Sequence, residues 1–113
     1  MAELYDEELE AIKQKKLMEL QRRLQEEARR RQQEQEARRD AILRSILTAE
    51  ARERLANVKL VRPELARMVE DNIIALVQAG QLRPPVGEDV VKELLSTIYQ
   101  RTQREIRIRV KRK

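Results

Sequence analysis

Apolar residues are spaced along the chain in four different patterns, and each spacing predicts an element. From Leu4 to Arg39 they are sparse. Leu9 and Ile12 come first, then Leu17, Leu20, Leu24 and Ala28 in a narrow stripe at helical spacing. The five-residue step from Ile12 to Leu17 breaks the stripe, so the sustained heptads of a coiled coil are missing. Strong helix formers fill the rest, without Gly or Pro, which predicts one long, exposed helix. At Asp40 the apolar face broadens to Ala41, Ile42, Leu43, Ile46 and Leu47, where the arm is expected to enter a core.

Ala51, Leu55 and Val58 line a short helix, with Thr48 as its N-cap and Glu50 in its first turn. Pro63 restarts helix from its favoured first position. Leu65, Met68, Val69, Ile73, Leu76 and Val77 then give a wide stripe. Gly80 suits the left-handed residue that closes a helix. Arg83-Pro84-Pro85-Val86-Gly87 is a loop, because two prolines cannot continue helix. Gly87 is a candidate cap for a last helix, whose buried face is Val91, Leu94, Leu95 and Ile98; Val86 and Val91 fit a hydrophobic staple. After Thr102 the period changes to two: Ile106, Ile108 and Val110 alternate with Arg107, Arg109 and Lys111. Alternation argues strand, but no other stretch offers a partner strand. The expectation for this segment is disorder, or order gained on binding.

The expected fold class is all-α: a compact three-helix bundle over residues 40–103, a long, partly mobile N-terminal helix over residues 1–39, and a disordered basic C-terminal tail over residues 104–113. Composition supports helix packed on helix. Trp and Phe are absent and Tyr5 and Tyr99 are the only aromatics, so packing rests on aliphatic ridges and grooves.

With no Cys and no His, disulfides, Cys/His zinc sites and catalysis by imidazole or thiolate are ruled out. The remaining candidates are Glu70, Asp71, Ser45, Ser96 and Thr97. Glu70 and Asp71 are neighbours, so on a helix they point about 100° apart and are read as solvated surface residues. Gly80 and Gly87 are the only glycines, so there is no phosphate-binding loop. The expectation is a non-enzyme without cofactor or metal. Apolar runs are far too short to span a membrane, and the acidic start, MAELYDEELEA, has no signal-peptide character. A monomeric, cytoplasmic protein with access to the nucleoid follows.

Charge changes the picture further. The net charge is +5 over 25 basic and 20 acidic residues, but it is unevenly placed. Residues 1–12 carry −5, residues 13–39 carry +5, residues 40–100 are near neutral and residues 101–113 carry +6. The tail presents Arg101, Arg104, Arg107, Arg109, Lys111, Arg112 and Lys113, opposed only by Glu105. A second cluster is Arg29, Arg30 and Arg31 with Arg38 and Arg39. It is partly offset by Glu26, Glu27 and Glu34, and Glu19–Arg23, Glu26–Arg30, Glu27–Arg31 and Glu34–Arg38 are spaced for i,i+4 pairs. Cations gathered on one surface suit phosphate, and the planar fork of Arg suits it best. Base readout has no support: Arg67, Asn72 and Gln78 are scattered, Glu64, Glu70 and Asp71 would repel phosphate, and two tyrosines make no stacking platform. The expectation is non-specific binding of double-stranded DNA through the basic termini. The alternative is an adaptor or chaperone-associated module that docks a protein partner on Leu9, Ile12, Leu17, Leu20 and Leu24.

One stretch also carries a resemblance. Ala51-Arg52, Arg54-Leu55, Leu60-Val61-Arg62-Pro63-Glu64, Val69-Glu70 and Gly80-Gln81-Leu82 resemble the archaeal DNA-binding proteins related to eukaryotic programmed cell death protein five. The tail Arg104-Glu105-Ile106-Arg107-Ile108 is similar to that of archaeal members. The resemblance implies a three-helix bundle, a mobile N-terminal helix, a flexible basic tail and duplex DNA binding, with protein partners in eukaryotes. Two stretches depart from the family pattern: Asp71-Asn72-Ile73-Ile74 stands where an aromatic-containing run is common, and the loop at Pro84-Pro85 is unusually proline-rich.

Overall fold

In the computed structural model, which describes residues 2–111, helices change where local chemistry requires it. The elements are α1 (Ala2–Ile46), α2 (Ala49–Val61), α3 (Pro63–Gln78) and α4 (Glu88–Lys111). Thr48 caps α2: its hydroxyl accepts from the Ala51 amide at 3.2 Å, satisfying a donor that the first turn leaves open. Arg62 ends α2 by donating its amide to the Val58 carbonyl at 2.7 Å, and its own carbonyl accepts from Ala66 at 3.1 Å to start α3. One residue thus serves two helices, and Pro63 fills the first position of α3. Gly80 closes α3 with φ +75. The Gln81 amide reaches the Leu76 carbonyl at 2.9 Å and the Gly80 amide reaches Val77 at 3.1 Å, the paired bonds of a Schellman turn.

The chain divides into two compact units, Met1–Arg38 and Arg39–Lys113. The second holds the core, in which α2, α3 and α4 pack pairwise against one another. Val69, Ile73 and Val91 are the largest fully buried side chains, joined by Leu43, Ile46, Leu47, Ala51, Leu55, Val86 and Ile98. Leu65, Leu82, Leu94 and Leu95 pack around them. Val86 and Val91 are both buried, as a staple across the start of α4 requires. Of the broad face after Asp40, Leu43, Ile46 and Leu47 are buried while Ile42 stays exposed.

The loop before α4 is tied to the α1–α2 junction by an isolated parallel bridge between Leu47 and Val86. The Val86 amide donates to the Ile46 carbonyl at 2.7 Å and the Thr48 amide donates to the Val86 carbonyl at 3.0 Å. Arg54 reaches from α2 to Glu88 in the first turn of α4 at 2.7 Å.

The structure differs from expectation at three places. Residues 104–111 continue α4 as helix in place of the disordered segment expected from residue 104. No Gly or Pro follows Gly87, and intrahelical hydrogen bonds satisfy a backbone that has no strand partner. Glu70 is buried, with 7% of its surface exposed, in place of the solvated position expected of it. It lies beside Leu43, Leu47 and Leu55 in one concavity, and its neighbour Asp71 is held by Arg39. In the arm, none of the four expected i,i+4 pairs closes among the described residues; Glu26 instead meets Arg29 at 2.6 Å. Exposed pairs of this kind gain so little that side-chain entropy decides between them.

Truncating Ile73 to Ala should lower stability by about 2–5 kcal/mol, and Thr48→Ala by about 1 kcal/mol, both read from the urea midpoint. The Glu88 carboxyl is held below its ordinary value first by the hydrogen bond from Arg54. Its contribution is therefore complete above that ordinary value and lost as pH falls through the depressed one. The melting-temperature gap between the native chain and Arg54→Met should be present near pH 7 and narrow as acid titrates the Glu88 carboxylate.

Candidate nucleic-acid interface

The end of α4 carries the densest set of cations. Helical geometry, not sequence order, decides which of them share a surface. At about 100° per residue, Arg101, Arg104, Arg107 and Lys111 fall within an arc of roughly 120°, over an axial length of about 15 Å. Arg109 lies well outside that arc, on the line that the buried residues Val91 and Ile98 follow lower on the helix. All five are exposed, and among the described residues none has an ion-pair partner. Arg112 and Lys113 lie outside the described residues. The period-two apolar residues separate too: Ile106 and Val110 fall on the side of Tyr99, while Ile108 lies among the cations.

The second candidate cluster is less uniform. Arg30, Arg31 and Arg38 are exposed and have no ion-pair partner among the described residues. Arg29 is bound by Glu26 at 2.6 Å. That hydrogen bond, and then the Arg29 charge, hold the Glu26 carboxyl below its ordinary value and raise the guanidinium. Arg39 serves the fold. Its side chain is only 15% exposed, its guanidinium meets Asp71 at 2.5 Å and it donates to the Arg67 carbonyl at 3.4 Å. The apolar stripe of the arm, including Leu17 and Leu20, is exposed.

Sequence reasoning passed over three further cations. Arg44, Arg52 and Lys59 line one concavity of about 290 Å³ together with Asp40 and Glu70. Arg52 and Lys59 are seven apart on α2, which places them on one face; that spacing is the signal that could have found them. Among the described residues no group of His, Cys, Asp or Glu could hold a metal ion, and no helix is long and apolar enough to cross a membrane.

The family described as double-stranded DNA-binding domain matches residues 12–113. The chain belongs to this double-stranded DNA-binding domain family. Its relatives in the family include a protein named "DNA-binding protein" from Aeropyrum pernix, 52% identical over 111 residues that cover 96% of each chain. Another of the same name, from Thermococcus onnurineus, is 52% identical over 109 residues, covering 91% of this chain and 97% of the relative. Among solved structures the chain is similar to a Leishmania major programmed cell death protein five homolog. The TM-score is 0.68 at 33% identity, over 72% of this chain and 82% of that one. The resemblance drawn from Leu60-Val61-Arg62-Pro63-Glu64 and its neighbours therefore holds, and with it the helical fold of the double-stranded DNA-binding domain family.

The different roles of these arginines can be read by stability. Arg39→Met should destabilise the protein by about 1.5–3 kcal/mol, the range for hydrogen bonds to charged groups. Arg31→Met should stay within about 0.5 kcal/mol, as surface substitutions do. Urea unfolding of the two variants compares them directly.

Proposed function

We infer that the protein binds double-stranded DNA through its phosphates, as a monomer and without sequence preference. The reading rests on one observation: Arg101, Arg104, Arg107 and Lys111 share a helical face, and among the described residues no carboxylate is paired to any of them. Membership of a family described as double-stranded DNA-binding domain, and relatives named DNA-binding protein, support the choice of duplex. Arg109 and the outermost residues Arg112 and Lys113 add charge, and Arg30, Arg31 and Arg38 assist from the N-terminal arm. In this division of labour residues 1–39 are a charged arm, residues 40–103 the helical bundle, and residues 104–113 the principal contact segment.

The mechanism is release of the counterions condensed on DNA. Each phosphate met by a guanidinium or ammonium frees about 0.9 of an ion. Affinity then falls with salt at a slope that counts contacts. Phosphate contacts position a protein on the duplex and carry no sequence information of their own.

Contacts with five phosphates should give a log–log salt slope of about −4.5, measured by fluorescence anisotropy on duplexes of unrelated sequence. Replacing Arg101, Arg104 and Arg107 together with Gln should make the slope shallower by about 2.7. Arg109→Gln alone should change it far less. Affinity that does not depend on salt would exclude the mechanism.

A further inference from the structure

A different side of the second unit is built for a different partner. Two concavities, of about 780 Å³ between α2 and α4 and about 340 Å³ between α3 and α4, share Arg62, Leu65 and Tyr99 in their walls. Their apolar surface comes from Val61, Leu65, Met68, Tyr99 and Ile106. Val61 is 79% exposed, and Leu60 beside it 85%. An adjoining set of large apolar side chains left in water marks a docking surface, not a core.

Charge selects the occupant. The protein as a whole is cationic at +5, yet these walls hold four carboxylates, Glu50, Glu53, Glu64 and Glu88, against two guanidiniums. Both guanidiniums are already engaged: Arg54 with Glu88 at 2.7 Å, and Arg62 over the Tyr99 ring at 4.8 Å. Among the described residues Glu50, Glu53 and Glu64 have no ion-pair partner. The groove is therefore apolar at its walls and unsatisfied in negative charge at its rim, which repels a phosphate backbone and attracts a cationic one.

We propose that this groove takes an amphipathic helix of a protein partner, its apolar stripe seated on Val61, Leu65 and Tyr99 and its Lys or Arg residues paired with Glu50, Glu53 and Glu64. Helices recognised in this way present anchors at i, i+3 or i+4 and i+7, and a groove between helices accommodates that spacing. The α4 residues lining it, from Leu95 to Ile106, centre about 140° around the helix from the cation face. The two surfaces are thus separate, and the proposal does not depend on DNA being bound.

The test uses the full chain and a labelled helical peptide of roughly eighteen residues built from Leu and Lys with one apolar face, a length of about 27 Å. A Leu/Glu peptide of the same pattern is the control. The Leu/Lys peptide should bind and the control should not. Val61→Lys and Glu53→Lys, both at exposed positions, should each weaken binding at least about tenfold while leaving helicity unchanged and without lowering the affinity for duplex. Binding of both peptides alike, or of neither, would overturn the proposal, as would Leu/Lys binding that ignores both substitutions. Sedimentation of the protein alone provides the remaining arm: a dimer that Val61→Lys dissociates would assign the groove to a second copy and also overturn it.

Discussion

The second unit depends on two backbone hydrogen bonds at one residue. Val86 donates to the Ile46 carbonyl and accepts from the Thr48 amide, in the short gap between α1 and α2. Unpaired, these groups would lie beside the buried side chains of Ile46, Leu47 and Val86, and buried backbone groups without partners are costly. Pairing them fixes where α4 begins relative to where α2 begins. The Thr48 cap and the Arg54–Glu88 ion pair then act on ends already brought together. The aliphatic side chains around Val69, Ile73 and Val91 fill the space this junction defines. A core without Trp or Phe gains adhesion only by close fit, so the positions of its helices must be set within narrow limits.

A second constraint is the handling of charge near that core. Glu70 is buried, and one of its carboxylate oxygens has no hydrogen-bond partner. Arg44, Arg52 and Lys59 line the same concavity, so cations surround the site without closing on it. Asp71, one residue on, holds Arg39. Adjacent acids on one helix thus have opposite fates because they point in different directions. A residue's contribution to net charge says little about its contribution to a binding surface.

Punctuation was legible in the sequence and placement was not. Thr48 and Gly80 act through hydrogen bonds within a turn or two of the chain and Pro63 through its fixed φ, so residue type alone suffices to identify them. The core positions Val69, Ile73, Val91 and Ile98 were legible from helical spacing. Glu70 and Arg39 were misread because their burial is set by contacts made across the fold, which periodicity along one helix does not encode. The tail shows a further limit. Ile106, Ile108 and Val110 do alternate, but with no second strand the backbone satisfies itself as helix. Its cations then group by 3.6-residue geometry, so that Arg109 parts from Arg101, Arg104 and Arg107. The groove escaped notice because α2 and α4 were read for their buried faces, and Val61 and Tyr99 lie off them.

A helical end to α4 also changes what binding a polyanion does to the protein. Arg104 and Arg107 are three apart and Arg107 and Lys111 four apart, so like charges are stacked on adjacent turns. Such pairs weaken a helix by about 0.2–0.5 kcal/mol each. Mutual repulsion therefore works against the helix in its terminal turns. A neighbouring row of negative charge removes it, and ligand binding and helix formation become two readings of one equilibrium.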